Sequence, residues 1–452
     1  MTVDAAPTAR SLAAATRPDR DRYVDLLRVF AIGTVVLGHW LMAVVAVDRQ
    51  GRVGAGNALT SVPALQYATW LLQVMPLFFF VGGFAHFTGM QARARRTGRA
   101  GGAYAEFVTA RITRLLRPTA LFVSAWLAVS LALELLGWQS GVAALAVRTV
   151  AQPLWFLGVY LGVMALAPLM LRWHRRQLGW VPVQLGLGVI AVDAAAFGLH
   201  LPGLRMVNVA LVWLTIHQFG YLYADGILLC AGRRVPAAMV IGGLLTVLAL
   251  TLTGTYPVSM VGMPGERVSN MNPPTVALLA HAVWLVGLAL LLRGPLSRWL
   301  RHRRVWTAVI AANGVVMTVF LWHLTALFAV YAVILGGGWA GMLPAAGSPW
   351  WWGTRPLWLA GLAAVGLVLV AVCRRAERPR LMPPAPPMGG PRAAVAATAC
   401  CLGVLGFSAT GFGGLLTGHS VSLAGLPMTA PAAAALMFGG WAMLSGRTPN
   451  NA

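Results

Sequence analysis

The sequence predicts an all-α polytopic membrane protein, a ten-helix bundle followed by two further transmembrane helices. Three observations predict it: scarce charge, long apolar runs, and the placement of arginine. Only 10% of the 452 residues are charged and 58% are hydrophobic, where a soluble chain carries about 25% charged residues. Mean hydropathy is +0.74. Twelve apolar runs approach or exceed the roughly 20 residues that cross a bilayer as helix.

The runs cover about 24–47, 67–90, 118–137, 153–171, 180–199, 206–230, 236–253, 275–293, 306–335 and 356–373, then 393–417 and 428–445. RPRLMPPAPPMGGPR (378–392) interrupts them, and its density of proline and glycine excludes helix. The expected organisation is a tail at 1–22, a ten-span core at 23–377, a linker at 378–392, and an appended helix pair with a short tail at 393–452. Residues 1–20 have no apolar h-region, so the first run is expected to stay in the protein as a span rather than act as a signal peptide.

The formal charge of +23 comes with 34 basic residues, all arginine. With the N-terminus placed inside, only Arg49, Arg52, Arg148, Arg205, Arg267 and Arg355 fall in outer segments, and the other 28 fall inside. That bias is an orientation signal and places both termini in the cytoplasm, in an inner or plasma membrane. The charge therefore needs no polyanion to explain it, and no nucleic-acid motif is present. The four cysteines form no CxxC pair and read as small packing residues. No GxxxxGK[ST], HExxH or GxSxG occurs.

Ionisable groups inside spans are costly, and so mark candidate functional sites. RYVDLLRVFAIGTVVLGHWL (22–41) carries Asp25, Arg28 and His39. Eleven residues turn a helix to within about 20° of the same face and advance it about 16 Å, so Arg28 stands below His39 on one stripe. The bland reading is that Arg28 snorkels to the surface and His39 bonds a neighbouring helix. His323, in FLWHLTAL (320–327), is expected at a depth similar to His39. His86, His217 and His281 are further buried candidates. Asp193 in the fifth run could serve a proton relay, while Glu134 and Asp225 sit near span ends. The most basic segment begins RARRTGR (93–99) and ends RITRLLRP (111–118). Arg111 and Arg114 neighbour each other at i, i+3 and suit a phosphate-bearing ligand, or else anchor the loop to lipid headgroups. GVYLG (158–162) fits a small-xxx-small packing pattern.

Taken in order, several stretches resemble the acyltransferase 3 family of membrane-bound acyl-CoA-dependent O-acyltransferases. They are the Arg28/His39 first helix, QVMPLFFFVGGFA (73–85), RITR (111–114), the tryptophan-led PLWFLGVYLGVMALAP (153–168) and VFLWHLTAL (319–327). The resemblance spans about 20–375. Two departures stand out: Trp155 is followed by FLGVYLGV, with no glutamate, and a C-terminal hydrolase-like domain is replaced by the linker and two apolar runs.

The resemblance implies transfer of an acyl group, often acetyl, from acyl-CoA to a hydroxyl of a sugar, glycan or glycosylated metabolite. Arg111 and Arg114 would hold the donor's phosphates. His39 would act as general base, with Arg28 orienting the donor or His39, and His323 positioning the acceptor or an oxyanion. Acetyl-CoA is the expected co-substrate, with no metal and no nucleic acid, and membrane lipid surrounds the chain. The competing reading is a proton-coupled transporter or flippase of a glycan or metabolite using Asp193, His39 and His323. Acceptor, acyl length and oligomeric state are not legible in the sequence.

Overall fold

The computed structural model describes residues 8–47, 50, 52–97, 104–138, 140–263, 265–376, 388–423 and 425–445. Linker residues 378–387, tail residues 1–7, and Arg49, Arg99 and Arg447 of the arginine count lie outside them. The principal helices are α1 Arg22–Met42, α2 Met75–Thr97, α3 Tyr104–Leu135, α4 Leu154–Gln177, α5 Trp180–Gly198, α6 Asn208–Ala224 and α7 Arg234–Leu252. They continue with α8 Val276–Trp299, α9 Arg303–Asn313, α10 Val316–Gly336, α11 Pro349–Ala376, α12 Gly390–Thr410 and α13 Ala430–Ser445. Two antiparallel hairpins, β1 Ala43–Val47 with β2 Val53–Asn57 and β3 Ser420–Leu423 with β4 Leu426–Thr429, are the strands among the described residues.

Ten helical segments among the described residues are long and apolar enough to cross a membrane, where the sequence predicts twelve. The sixth run, 206–230, condenses to the 17-residue α6. Its polar Asn208, His217 and Gln218 are buried rather than turned outward, so protein rather than lipid surrounds it. The twelfth run becomes the 16-residue α13. The run at 306–335 is broken: α9 ends at Asn313, whose side-chain amide donates to the carbonyls of Val309 and Asp25, and α10 starts at Val316. The first run stops being helix at Met42, where the β-branched run of 43–47 pairs with 53–57 instead.

Contacts group the chain into two units. One comprises Met1–Gly38, Ala64–Phe87 and Trp173–Met317. Its helix α1 starts on Asp21, whose carboxylate accepts from the N–H groups of Tyr23 and Val24 (3.0 and 3.2 Å) and from the Tyr223 hydroxyl at 2.7 Å. Glycines set the closest crossings. A Cβ on Gly83 would strike the carbonyl of His217, and one on Gly220 would strike that of Phe80, so α2 and α6 meet backbone to backbone. Gly243 and Gly287 do the same for α7 and α8. Such approaches let helices associate by close packing where no hydrophobic drive separates protein from lipid. The outward face of α7 is apolar, with Ile241 60%, Leu245 60% and Leu252 77% exposed, as a lipid-facing stripe requires.

Asp193 of α5 ties this unit's loops together. It accepts from Asn208 Nδ2 (2.8 Å), the Tyr256 hydroxyl (3.2 Å) and the Val276 N–H at the start of α8 (2.8 Å). Burial, and then the Asp193 carboxylate, push the Tyr256 phenol well above its ordinary range, so Tyr256 stays a donor.

The other unit comprises His39–Pro63, Thr88–Arg172 and Thr318–Ala452. Here α12 and α13 form a hairpin in which Gly403 meets the backbone of Met437 and Gly440 meets that of Ala396. The pair packs into the unit: Leu405 sits over Gly158 of GVYLG, and Cys401 Sγ donates to the Gly158 carbonyl at 3.1 Å. Glu134, at the end of α3, accepts from the N–H groups of Leu415 (3.0 Å) and Leu416 (2.9 Å) in the turn after α12.

Overpacking tests the glycine crossings. Gly220→Leu should lower the thermal midpoint of the detergent-purified protein by an amount equivalent to about 1–3 kcal/mol or more. Gly242→Leu, where an added Cβ meets nothing within 4 Å, should leave the midpoint unchanged in the same assay.

Candidate active site

His39 ends one turn short of the end of α1, and His323 lies in the first half of α10. The structure brings them together. His39 Nδ1 and His323 Nε2 are 2.9 Å apart, with the rings near-parallel at a centroid separation of 5.0 Å. His323 is buried, and His39 is half-buried.

Hydrogen-bond logic fixes the tautomers. His323 Nδ1 is 2.6 Å from the Phe320 carbonyl oxygen, which can only accept, so His323 Nδ1 carries the proton. Neutral His323 then offers Nε2 as a lone pair, and His39 must donate to it through Nδ1–H. The remaining nitrogen, His39 Nε2, is left as the unprotonated, basic atom of the pair. A carbonyl orients one imidazole, which orients a second, and the reactive nitrogen sits at the end of the chain. This is the arrangement by which a general base is held in one tautomer.

Surrounding side chains lock both rings. Trp40 Nε1 donates to the His323 carbonyl at 2.9 Å, pinning α1 to α10 beside the pair. Trp358 Nε1 of α11 donates to the Trp40 carbonyl at 3.1 Å. Trp126 Nε1 of α3 donates to Thr325 Oγ1 at 3.1 Å, and Phe122 packs edge-on against Trp322. Phe156, in the segment that follows Trp155, packs edge-on against Phe320, whose carbonyl holds His323. Sequence reasoning missed Trp40, Trp126 and Trp358. A tryptophan beside or facing a polar span residue is the available signal, but it does not say which carbonyl the indole will find.

Arg28 lies about 16 Å along α1 from His39. It pairs with Asp25 at 3.4 Å, and Asp25 is also held by Arg20 at 2.6 Å. Arg111 and Arg114 fall within one continuous helix, α3, which begins well before the predicted span. The Arg111 guanidinium lies against Gly89 of α2, where a Cβ would collide with it, and over the Phe107 ring. Arg114 is exposed. The acid of that basic segment, Glu106, is paired with Arg93, so it does not neutralise Arg114.

The other candidates divide by environment. His86 Nδ1 and His217 Nε2 form a second buried pair at 3.0 Å. His281 bonds the Trp70 carbonyl at 2.8 Å, and His174 bonds Asp225 at 2.6 Å. Among the described residues no cluster of three or more His, Cys, Asp or Glu side chains could hold a metal ion.

An acyltransferase domain model matches residues 21–375. The chain belongs to the acyltransferase 3 family. The match covers the whole stretch that carries Arg28, His39, RITR and His323, and it stops before the linker and α12. No curated protein and no solved structure matches the chain. Family and helices together make the protein an integral-membrane acyltransferase.

The tautomer assignment predicts a spectrum. In protein labelled with ¹⁵N-histidine, His39, identified by its loss in His39→Gln, should show a protonated Nδ1 and an unprotonated Nε2 at neutral pH. His323→Ala should abolish that preference, whereas the reverse tautomer in the wild type would contradict the hydrogen-bond chain.

Proposed function

We propose that the protein transfers an acyl group, acetyl in the first instance, from cytoplasmic acyl-CoA to a hydroxyl of a sugar, glycan or small glycosylated metabolite. The observation that carries this reading is the Phe320–His323–His39 chain, which leaves a basic nitrogen inside a family whose chemistry requires one.

An alcohol is a poor nucleophile until its proton is removed as the new bond forms. In the proposed step His39 Nε2 takes the hydroxyl proton while the oxygen attacks the thioester carbonyl. The C–S bond then breaks, an ester forms, and the protonated His39 returns its proton to the departing thiolate. The step is balanced and leaves the histidine as it began. His323 acts as a positioning residue, because both its nitrogens are already engaged and it has no N–H left for an oxyanion. Arg111 and Arg114 hold the donor's phosphates at the inner end of α3. Arg28 keeps the donor-orienting role that the family resemblance implies. The arginine bias supports a membrane orientation with both termini in the cytoplasm, where acyl-CoA is found.

The transporter reading is not favoured. Its carboxylate, Asp193, is occupied by three hydrogen bonds from Asn208, Tyr256 and Val276. It holds loops together and has no open coordination for a relay.

Acetyl-CoA should bind the detergent-purified wild type saturably, and Arg111→Ala/Arg114→Ala should weaken binding at least about tenfold, the scale of lost charge-assisted hydrogen bonds. Gly89→Val, which displaces the Arg111 side chain without removing its charge, should weaken it less. His39→Gln should keep donor binding and lower acyl transfer by about 10²–10⁴. Full transfer by a folded His39→Gln protein would remove the base assignment.

A further inference from the structure

The segment SPWWWGTRPLW (348–358) opens α11 with four tryptophans and one arginine. Its residues fall on two faces. Trp350 (68%), Trp352 (46%) and Leu357 (78%) are exposed and form the kind of aromatic fringe that anchors a helix at a membrane interface. Trp351, Arg355, Trp358 and Leu362 recur at i, i+4, i+7 and i+11 and form the inward stripe. Along it Trp351 and Leu362 are buried, and Arg355 and Trp358 are half-buried. An arginine serving only the headgroups would sit on the first face. Arg355 sits on the second.

Aromatic rings hold the Arg355 guanidinium in place. It lies 4.5 Å from the Trp351 ring centroid and 5.2 Å from that of Trp358, and its Nε donates to the Trp351 carbonyl at 3.1 Å. Among the described residues it has no acid partner, and its two terminal nitrogens make no hydrogen bond to protein. A fixed, planar fork with open donors on an inward face suits an oxyanion, which it can bind through two parallel hydrogen bonds. The rings add cation–π stabilisation that the ligand does not have to displace.

The fork is joined to the histidine pair within the same unit. Trp358 donates to the Trp40 carbonyl, and Trp40 both adjoins His39 and donates to the carbonyl of His323. Tyr331, eight residues or about 12 Å beyond His323 on α10, packs against Trp358 at 5.0 Å. Arg355 is thus linked to the histidine pair through the Trp358 ring and the Trp40 backbone, and it lies toward the end of α11 opposite Arg374 and Arg375.

We propose that Arg355, held on Trp351 and Trp358, is the acceptor-recognition site, and that the acceptor carries a carboxylate or phosphate distinct from the hydroxyl that is acylated. The inference rests on the acyltransferase reading for the place of the reacting hydroxyl, and on the Arg355 geometry for the anionic group.

Equilibrium dialysis of the full-length protein in an uncharged polyoxyethylene detergent tests it with three labelled probes. They are a neutral methyl cellobioside, the matching disaccharide uronic acid, and the matching disaccharide phosphate. All are measured in the wild type and in Arg111→Ala/Arg114→Ala, which keeps inner-loop anion binding out of the readout. At least one acidic probe should bind about tenfold or more tighter than the neutral one, and whichever binds identifies a carboxylate or a phosphate source. Arg355→Gln should remove that preference, Arg355→Lys should retain part of it, and the lipid-face control Trp352→Phe should retain all of it. Absence of any acidic preference in the wild type overturns the proposal, as does its persistence in Arg355→Gln. A change confined to copurified anionic lipid also overturns it and makes Arg355 a headgroup anchor. Acetyl-CoA binding by the same wild-type sample reports separately on the acyltransferase reading.

Discussion

A polar group in the hydrocarbon core of a membrane finds no water, so it must find a protein partner or be very costly to keep. Much of this structure follows from that constraint. Helix backbones satisfy themselves, and side chains are left to satisfy one another. Indole N–H groups of Trp40, Trp70 and Trp358 reach carbonyls on other segments. Thr251 and Thr246 bond back to their own helix. Asp193 and Glu134 spend their oxygens on backbone N–H groups at a helix start and in a turn. The histidines pair.

Pairing has a chemical consequence. Two neutral imidazoles in a hydrogen bond cannot both donate, so a single further contact decides the direction of the whole chain. At His39 and His323 that contact is the Phe320 carbonyl, and the result is a base with its lone pair directed away from its supports. At His86 and His217 the same pairing is fully buried, and His217 Nδ1 has no hydrogen-bond partner among the described residues. Identical residue types thus serve different ends, and their exposure separates them. Of these four rings His39 is the half-buried one, and the other three are buried.

The charged groups are sorted by the same rule. Asp25 and Glu106, at the ends of long helices, are neutralised by Arg20 and Arg93. Arg114 and Arg355 have no acid partner among the described residues, and each precedes the apolar stretch of its helix. Long-range attraction between such a charge and an anion is strong where the dielectric is low.

Much of the fold was legible in the sequence because hydropathy in a membrane chain reports directly on burial in lipid. The apolar runs located most of the helices, and the Arg28 and His39 spacing placed both on one face by helix period alone. The same signal failed where protein replaced lipid as the surroundings, as in α6, whose His217 and Gln218 dilute its hydropathy while the helix stays buried. It also failed at the 313–316 break, which depends on Asn313 finding the Asp25 carbonyl far away in the chain. By itself the sequence determined the membrane class and the order of the motifs, because these follow from composition and local period. Only the tertiary structure decided that His39 and His323 touch, that Phe320 sets their tautomers, and that Arg355 faces inward. The histidine contact and the inward face of Arg355 depend on segments hundreds of residues apart, and the nearby Phe320 carbonyl reaches His39 only through that contact. Helix rotation and register about such contacts are set by packing, which no local pattern encodes.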